Sequence, residues 1–316
     1  MADQADKLRM LAAELKGRKS PLAAAAPKAA IPGAGEDGAP DPYGGPARAR
    51  VIAVASGKGG VGKTNMAVNL SLQLCRLGRQ VILFDADLGL ANADLLLGIQ
   101  PRYNLTHFFT GGRSLAEIMC EGPLGLKLIP SGSGIAQLAD LGPQERERVL
   151  SHFALIGDQA DYLVVDTGAG ISRNVVAFAQ AAEEVLVVTT PEPTARLDAY
   201  GLIKVLAQEG YPGRIRVIVN MAESPAEGED VARLMETLAG RFLNIHVERL
   251  GVVPRDREVP LAVRAQRPFS LERPDSPASR AVAAMASAIS KVNLAQPPGG
   301  VRGFIERLGA VLRPRD

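Results

Sequence analysis

Short apolar runs separated by stretches of helical spacing recur from Val51 to about Asn293: 51–55, 81–84, 126–130, 162–165, 185–189, 215–219 and 250–253. The runs are continuously apolar instead of alternating, as strands covered on both faces should be. This pattern predicts an α/β fold, a doubly wound, mostly parallel sheet with helices on both faces, in one core domain over 50–294. Residues 20–49 interrupt it. They are dominated by Ala, Pro and Gly, bury too little apolar surface to offset ordering entropy, and are expected to form a flexible linker. Ahead of the linker, 1–19 hold a short helix with Leu8, Leu11, Ala12 and Leu15 on one face and Asp3 near its positive start.

Beyond the core, 296–300 leads into a second amphipathic segment within 295–316. Val301, Phe304, Ile305, Leu308, Val311 and Leu312 share one narrow face, Arg302, Glu306 and Arg313 lie opposite, and Arg307 flanks it. Such a helix suits a membrane interface, where arginine adds attraction to anionic lipid. A helix this short holds weakly alone, so two copies in a dimer would multiply its residence. Docking on the protein's own core is the alternative that amphipathicity leaves open.

The chemistry is concentrated after the strands. Ser56-Gly57-Lys58-Gly59-Gly60-Val61-Gly62-Lys63-Thr64 follows the first run and opens the helical segment 64–77, the strand-to-helix turn that a phosphate-binding loop requires. Its glycines let main-chain N–H groups close on phosphate oxygens, and the helix presents its positive end to the same anion. Lys63 neutralises the β and γ phosphates, Thr64 offers Mg²⁺ a hydroxyl, and Asn65 can donate to a phosphate. The run 81–84 delivers Asp85 and Asp87, two carboxylates on one side of an extended chain. Asp85 can hold a magnesium-bound water, and Asp87 can orient or deprotonate the water attacking the γ-phosphate. Asp166 ends the run 162–165, followed by Thr167-Gly168-Ala169-Gly170. Asn220, past 215–219, offers donor and acceptor groups to a purine edge, and Pro254 and Asp256 follow 250–253.

With Lys58 inside the glycine loop, the chain resembles the MinD/ParA family of deviant P-loop ATPases. The resemblance implies that Lys58 crosses an ATP-dependent homodimer to the partner's phosphates and that ATP, ADP and Mg²⁺ are the ligands. It also implies that Asp166 is the Walker B carboxylate of the second switch, that Asn220 contacts adenine, and that 190–195 frame the site. Many family members carry proline where Gly168 stands, which puts the detailed switch geometry in question. Asp3-Gln4-Ala5-Asp6-Lys7-Leu8-Arg9 resembles the D-Q-A-x-x-L-R motif of FlhG/FleN-type flagellar-number ATPases. That implies a partner-binding role for Asp3, Gln4, Ala5, Leu8 and Arg9 toward an FlhF-type GTPase, with flagellar switch-ring components and a flagellar transcription regulator as further candidate partners. MinD-like proteins carry a terminal membrane-targeting helix, which implies the same use for 301–312.

Composition excludes few classes but agrees with these. With 316 residues, 47% hydrophobic and 22% charged, the chain can build a sizeable core, and it has no apolar run long enough to span a bilayer. The polar start and the two distant cysteines, Cys75 and Cys120, suit the cytoplasm, with reversible attachment to the inner face of the membrane. A net charge of +2 does not by itself argue for nucleic-acid binding, and none is expected. The rival within the family is a ParA-type DNA-partitioning ATPase, which needs a basic surface on its dimer. An iron-sulfur carrier would need cysteines at ligand spacing, which Cys75 and Cys120 lack. A non-enzymatic nucleotide-binding module would show no turnover dependent on Asp87.

Overall fold

The computed structural model describes residues 49–87, 92–132, 149, 152–153, 156–157, 159–291 and 300–312. All belong to one unit, Pro46–Asp316. The motif residues Asp3, Gln4, Ala5, Leu8 and Arg9, and all of the linker but Ala49, lie outside the described residues, as does Arg313.

Each predicted run is a strand. They are β1 (Arg50–Ser56), β2 (Val81–Ala86), β4 (Lys127–Ile129), β5 (Tyr162–Ala169), β6 (Glu184–Thr189), β7 (Arg214–Ala222) and β8 (Val247–Pro254). A two-residue strand not foreseen, β3 (Cys120–Glu121), pairs antiparallel with β4 at one edge. The sheet order is β3-β4-β2-β5-β1-β6-β7-β8, and every pair except β3 with β4 is parallel. β5 therefore lies between β1 and β2, which no local pattern in the sequence reveals.

Continuous apolar strands follow from burial on both faces. Val51 to Ala55 are wholly buried in β1. Helix α1 (Lys63–Arg76) covers the sheet with Met66, Ala67, Leu70 and Leu74. On the outward side Phe84 of β2 packs at 6.2 Å from Phe153 and edge-on at 5.9 Å from Phe178. Each such fully buried side chain contributes about 1.5–3 kcal/mol of apolar transfer.

Phe178 belongs to α5 (Arg173–Ala181), and it also carries the last helix, α11 (Gly300–Leu312), with Phe304 at 6.4 Å. Val301, Phe304, Ile305, Leu308 and Leu312 are buried there, Val311 is half-buried, and Arg302 and Glu306 face solvent. The predicted apolar face is thus real, and in this structure it is turned to the protein's own core. Polar contacts fasten the carboxyl half of α11. Arg307 Nε donates to the Ala181 carbonyl at 2.9 Å, and Arg173 Nη2 donates to the Leu312 carbonyl at 2.8 Å. Among the described residues no helix is long and apolar enough to cross a membrane.

Phe84→Ala should remove about 3–5 kcal/mol of unfolding free energy, since it empties the centre of this ring cluster. Denaturant titration checks it; a loss below about 1 kcal/mol would show that the cluster is not a principal part of the core.

Candidate functional site

The strand order brings three chain segments together at the carboxyl ends of β1, β5 and β2, where open α/β sheets place their ligands. Asp166 is level with Val54 on one side and with Asp85 on the other. Between β1 and α1 runs the glycine loop. Gly62 stands at the helix N-cap in the left-handed region, φ 87°, with no side chain capping the helix and no acid in its first turn. The orphan N–H groups and the positive end of α1 are therefore available to an anion. Asn220, near the end of β7, fastens the loop by donating from Nδ2 to the Val61 carbonyl at 2.9 Å. A Cβ on Gly62 would lie 2.4 Å from that nitrogen, so only glycine admits this contact.

The electrostatics are unbalanced. Lys63 Nζ meets Asp166 Oδ1 at 2.7 Å, with both side chains buried. Burial still pushes the Asp166 carboxyl above the ordinary carboxylate range, with Lys63 opposing the shift, and Asp166 Oδ2 is buried without a hydrogen-bond partner. Asp85 accepts from the N–H groups of Asp87 at 3.1 Å and Ala93 at 3.2 Å. Burial first, and the neighbouring Asp166 second, push its carboxyl up to about 7. Two close carboxylates facing one lysine leave negative charge that a hard cation would neutralise. The Thr64 hydroxyl lies near enough to Asp166 to oppose its upward shift, so oxygens of Thr64 and Asp166, with Asp85 on the adjacent strand, could together hold Mg²⁺. The orphaned Oδ2 supports the fit, being a buried acceptor that no described residue satisfies.

Asp87 follows directly on β2, and its side chain lies beside Gly168 of β5. Asn65 opens the second residue pair of the helix and gives its carbonyl to Asn69 Nδ2 at 2.8 Å. At the rim a cleft of about 650 Å³ is lined by Lys58, Gly59, Gly60, Val61, Thr190, Glu192, Met221 and Arg255, among others. Lys58 lies there against its own subunit, with Nζ 2.8 Å from both Glu192 Oε1 and Thr194 Oγ1. The hydrogen bond from Lys58 holds the Glu192 carboxyl below its ordinary range.

Of the segment 254–256, Arg255 lines the cleft. Asp256 gives its carboxylate to the N–H groups of Glu258 at 3.0 Å and Ala278 at 3.1 Å, at the starts of α8 (Glu258–Arg264) and α10 (Pro277–Lys291). Partial burial works against the charge, but these donors outweigh it and keep the carboxyl below its usual range. Asp256 thereby ties the turn to two helix starts, and Arg255, paired with Glu223 at 2.9 Å, lines the cleft. Glu192, Thr194 and Met221 are not singled out individually by the sequence. The runs 190–195 and 253–256 point to that side of the site, whereas Met221, in the left-handed region at φ 57°, gives no sign in the sequence.

A model of the CobQ/CobB/MinD/ParA nucleotide binding domain matches residues 52–269. The chain belongs to the MinD/ParA family of P-loop ATPases. It is 44% identical over 260 residues to the antiactivator FleN of Pseudomonas aeruginosa, covering 82% of this chain and 93% of FleN. It is 34% identical to the flagellum site-determining protein YlxH of Helicobacter pylori, covering 82% and 89% respectively. Among solved structures, the cell-division protein MinD of Aquifex aeolicus is similar with a TM-score of 0.61 and 26% identity, over 79% of this chain and all of that one. Family membership makes the chain an ATP hydrolase of the FleN/FlhG type.

Asn220→Ala should weaken ATP binding by about tenfold, because the buried Val61 carbonyl loses its donor and the loop loses its anchor. Titration with a fluorescent nucleotide checks this; unchanged affinity would mean that the loop is held without Asn220.

Proposed function

We propose that this ATPase is a nucleotide-operated switch that governs the number or placement of flagella. It pairs into a homodimer on ATP, attaches to the cytoplasmic face of the membrane, and resets on hydrolysis. The similarity to FleN and YlxH supports the flagellar role. ATP or ADP would be held by the glycine-loop N–H groups and Lys63, with Thr64, Asp85 and Asp166 holding Mg²⁺, whose charge when bound offsets that of the phosphates. Asp87 orients the attacking water and accepts its proton. For Lys58 to cross to a partner's phosphate it has to leave Glu192 and Thr194. That pair is half-exposed and weak enough for a phosphate to outcompete.

The observation that carries the switch is the path from the metal site to the last helix. β5 bears Asp166, the loop after it leads within a few residues to Arg173, and Arg173 holds the carboxyl end of α11. A rearrangement of that loop on ATP-dependent pairing frees α11, whose apolar face then meets anionic lipid. A residue set that is buried in one state and lipid-facing in the other reconciles Val301, Phe304, Ile305 and Leu308 with both settings. Partners on this reading are an FlhF-type GTPase, engaged by the segment 1–19, components of the flagellar switch ring, and a flagellar transcription regulator, the last in keeping with FleN's designation as an antiactivator.

Lys58→Ala should stay monomeric with ATP and Mg²⁺ when the unaltered protein doubles in mass by light scattering; an equal shift in both would remove Lys58 from the interface. Deleting 301–316 should abolish ATP-dependent sedimentation with phosphatidylglycerol vesicles while sparing ATP affinity. Continued sedimentation would exclude α11 as the anchor.

A further inference from the structure

Asp87 lies just past the last paired residue of β2, Ala86, so the sheet does not fix its main chain. Two side chains do so instead. The Asp87 N–H donates to Asp85 Oδ1 at 3.1 Å, and the Asp87 carbonyl accepts from Ser131 Oγ at 3.0 Å. With both flanking peptide planes held, the direction of the Cα–Cβ bond is set and the carboxylate retains only its rotamers.

Ser131 is itself held from behind. It follows β4, which pairs with β2 through Phe84 and Ile129, so the two strand ends emerge side by side. The preceding Pro130 carbonyl accepts from the Leu105 N–H at 3.4 Å, at the start of α3 (Leu105–Phe109). A Cβ on Gly132 would stand 2.7 Å from Thr106 Oγ1 and 2.9 Å from the Thr106 nitrogen, so the turn is pressed against that helix with no space to spare. Asn104 and His107 close a capping box at the same helix start. A continuous set of contacts thus runs from α3 through 130–132 to Asp87.

We infer that Ser131 is a positioning residue for ATP hydrolysis: its hydroxyl fixes the Asp87 peptide so that the carboxylate faces the attacking water. The inference rests on the reading of Asp87 as the water-orienting group, and it adds a residue outside the glycine loop and both carboxylate strands. A near-attack geometry depends on such support, because a small misplacement of the general base lowers the rate without changing how tightly substrate binds.

The test is steady-state turnover of Ser131→Ala and Ser131→Thr beside Asp87→Asn, with ATP affinity and the unfolding midpoint measured for each. Ser131→Ala should lower kcat by about fivefold to tenfold, the size of one neutral hydrogen bond, with ATP affinity held within about twofold. Ser131→Thr, which keeps the hydroxyl, should restore turnover. If Asp87→Asn is inactive while Ser131→Ala turns over at the unaltered rate, the positioning role is refuted and the reading of Asp87 stands. Loss of ATP affinity in Ser131→Ala, or failure of Ser131→Thr to rescue, would also refute it by making the serine structural. If Asp87→Asn is itself unimpaired, both ideas fall.

Discussion

Two aspartates placed level on adjacent parallel strands, inside the protein and facing one lysine, are the constraint around which this molecule is organised. Neighbouring strands lie about 4.8 Å apart, so Asp85 and Asp166 cannot both be ionised comfortably while buried. The protein tolerates the conflict in two ways. Asp85 is shifted to titrate near neutrality, and Asp166 borrows Lys63. Neither is a complete solution, since Asp166 Oδ2 remains without a partner. On the proposed reading a magnesium nucleotide would complete both, its cation offsetting the carboxylates and its phosphates competing for Lys63.

The rest of the architecture transmits that event. β5 carries Asp166 at the centre of the sheet and continues toward α5, and α5 carries α11 through Phe178 and Arg173. On the opposite flank, the Asp85 carboxylate holds the Asp87 peptide, and Ser131 holds its other side. One charge cluster is thus in contact with Asp87, the proposed water-directing group, and, by a longer route, with the helix proposed to meet the membrane. Lys58, tied to Glu192 at the rim, is the one loop cation held by half-exposed partners among the described contacts. This suits a residue that has to change partners.

Sequence made the chemistry visible and left the geometry hidden, for physical reasons. The glycine loop and the three aspartates could be read because strand ends in a parallel sheet are where ligands bind and because phosphate demands main-chain N–H groups. That β5 intervenes between β1 and β2 could not be read, because strand order depends on contacts between residues more than a hundred positions apart, such as Ala53 with Val165. The face of α11 was correct residue by residue except at half-buried Val311, yet amphipathicity is blind to what covers the face. Asp256, expected beside the nucleotide, accepts at the starts of two helices, a second use of an Asp after a strand that the sequence pattern does not reveal. Ser131 was invisible because a serine in a turn carries no signal of its own.

The most direct test of the central claim is the thermal unfolding midpoint of the unaltered protein with ADP, in excess Mg²⁺ or in chelator, at pH 6 and pH 8. Asp85 titrates near 7 when folded and near 4 when unfolded, so the stability it lends in its protonated form disappears as pH rises through 7. Metal has to displace that proton at pH 6 but not at pH 8. The increment due to Mg²⁺ is therefore expected at both values and larger at pH 8. Equal midpoints with and without the metal at both values would show that these carboxylates do not form a cation site, and the account would fail at its foundation.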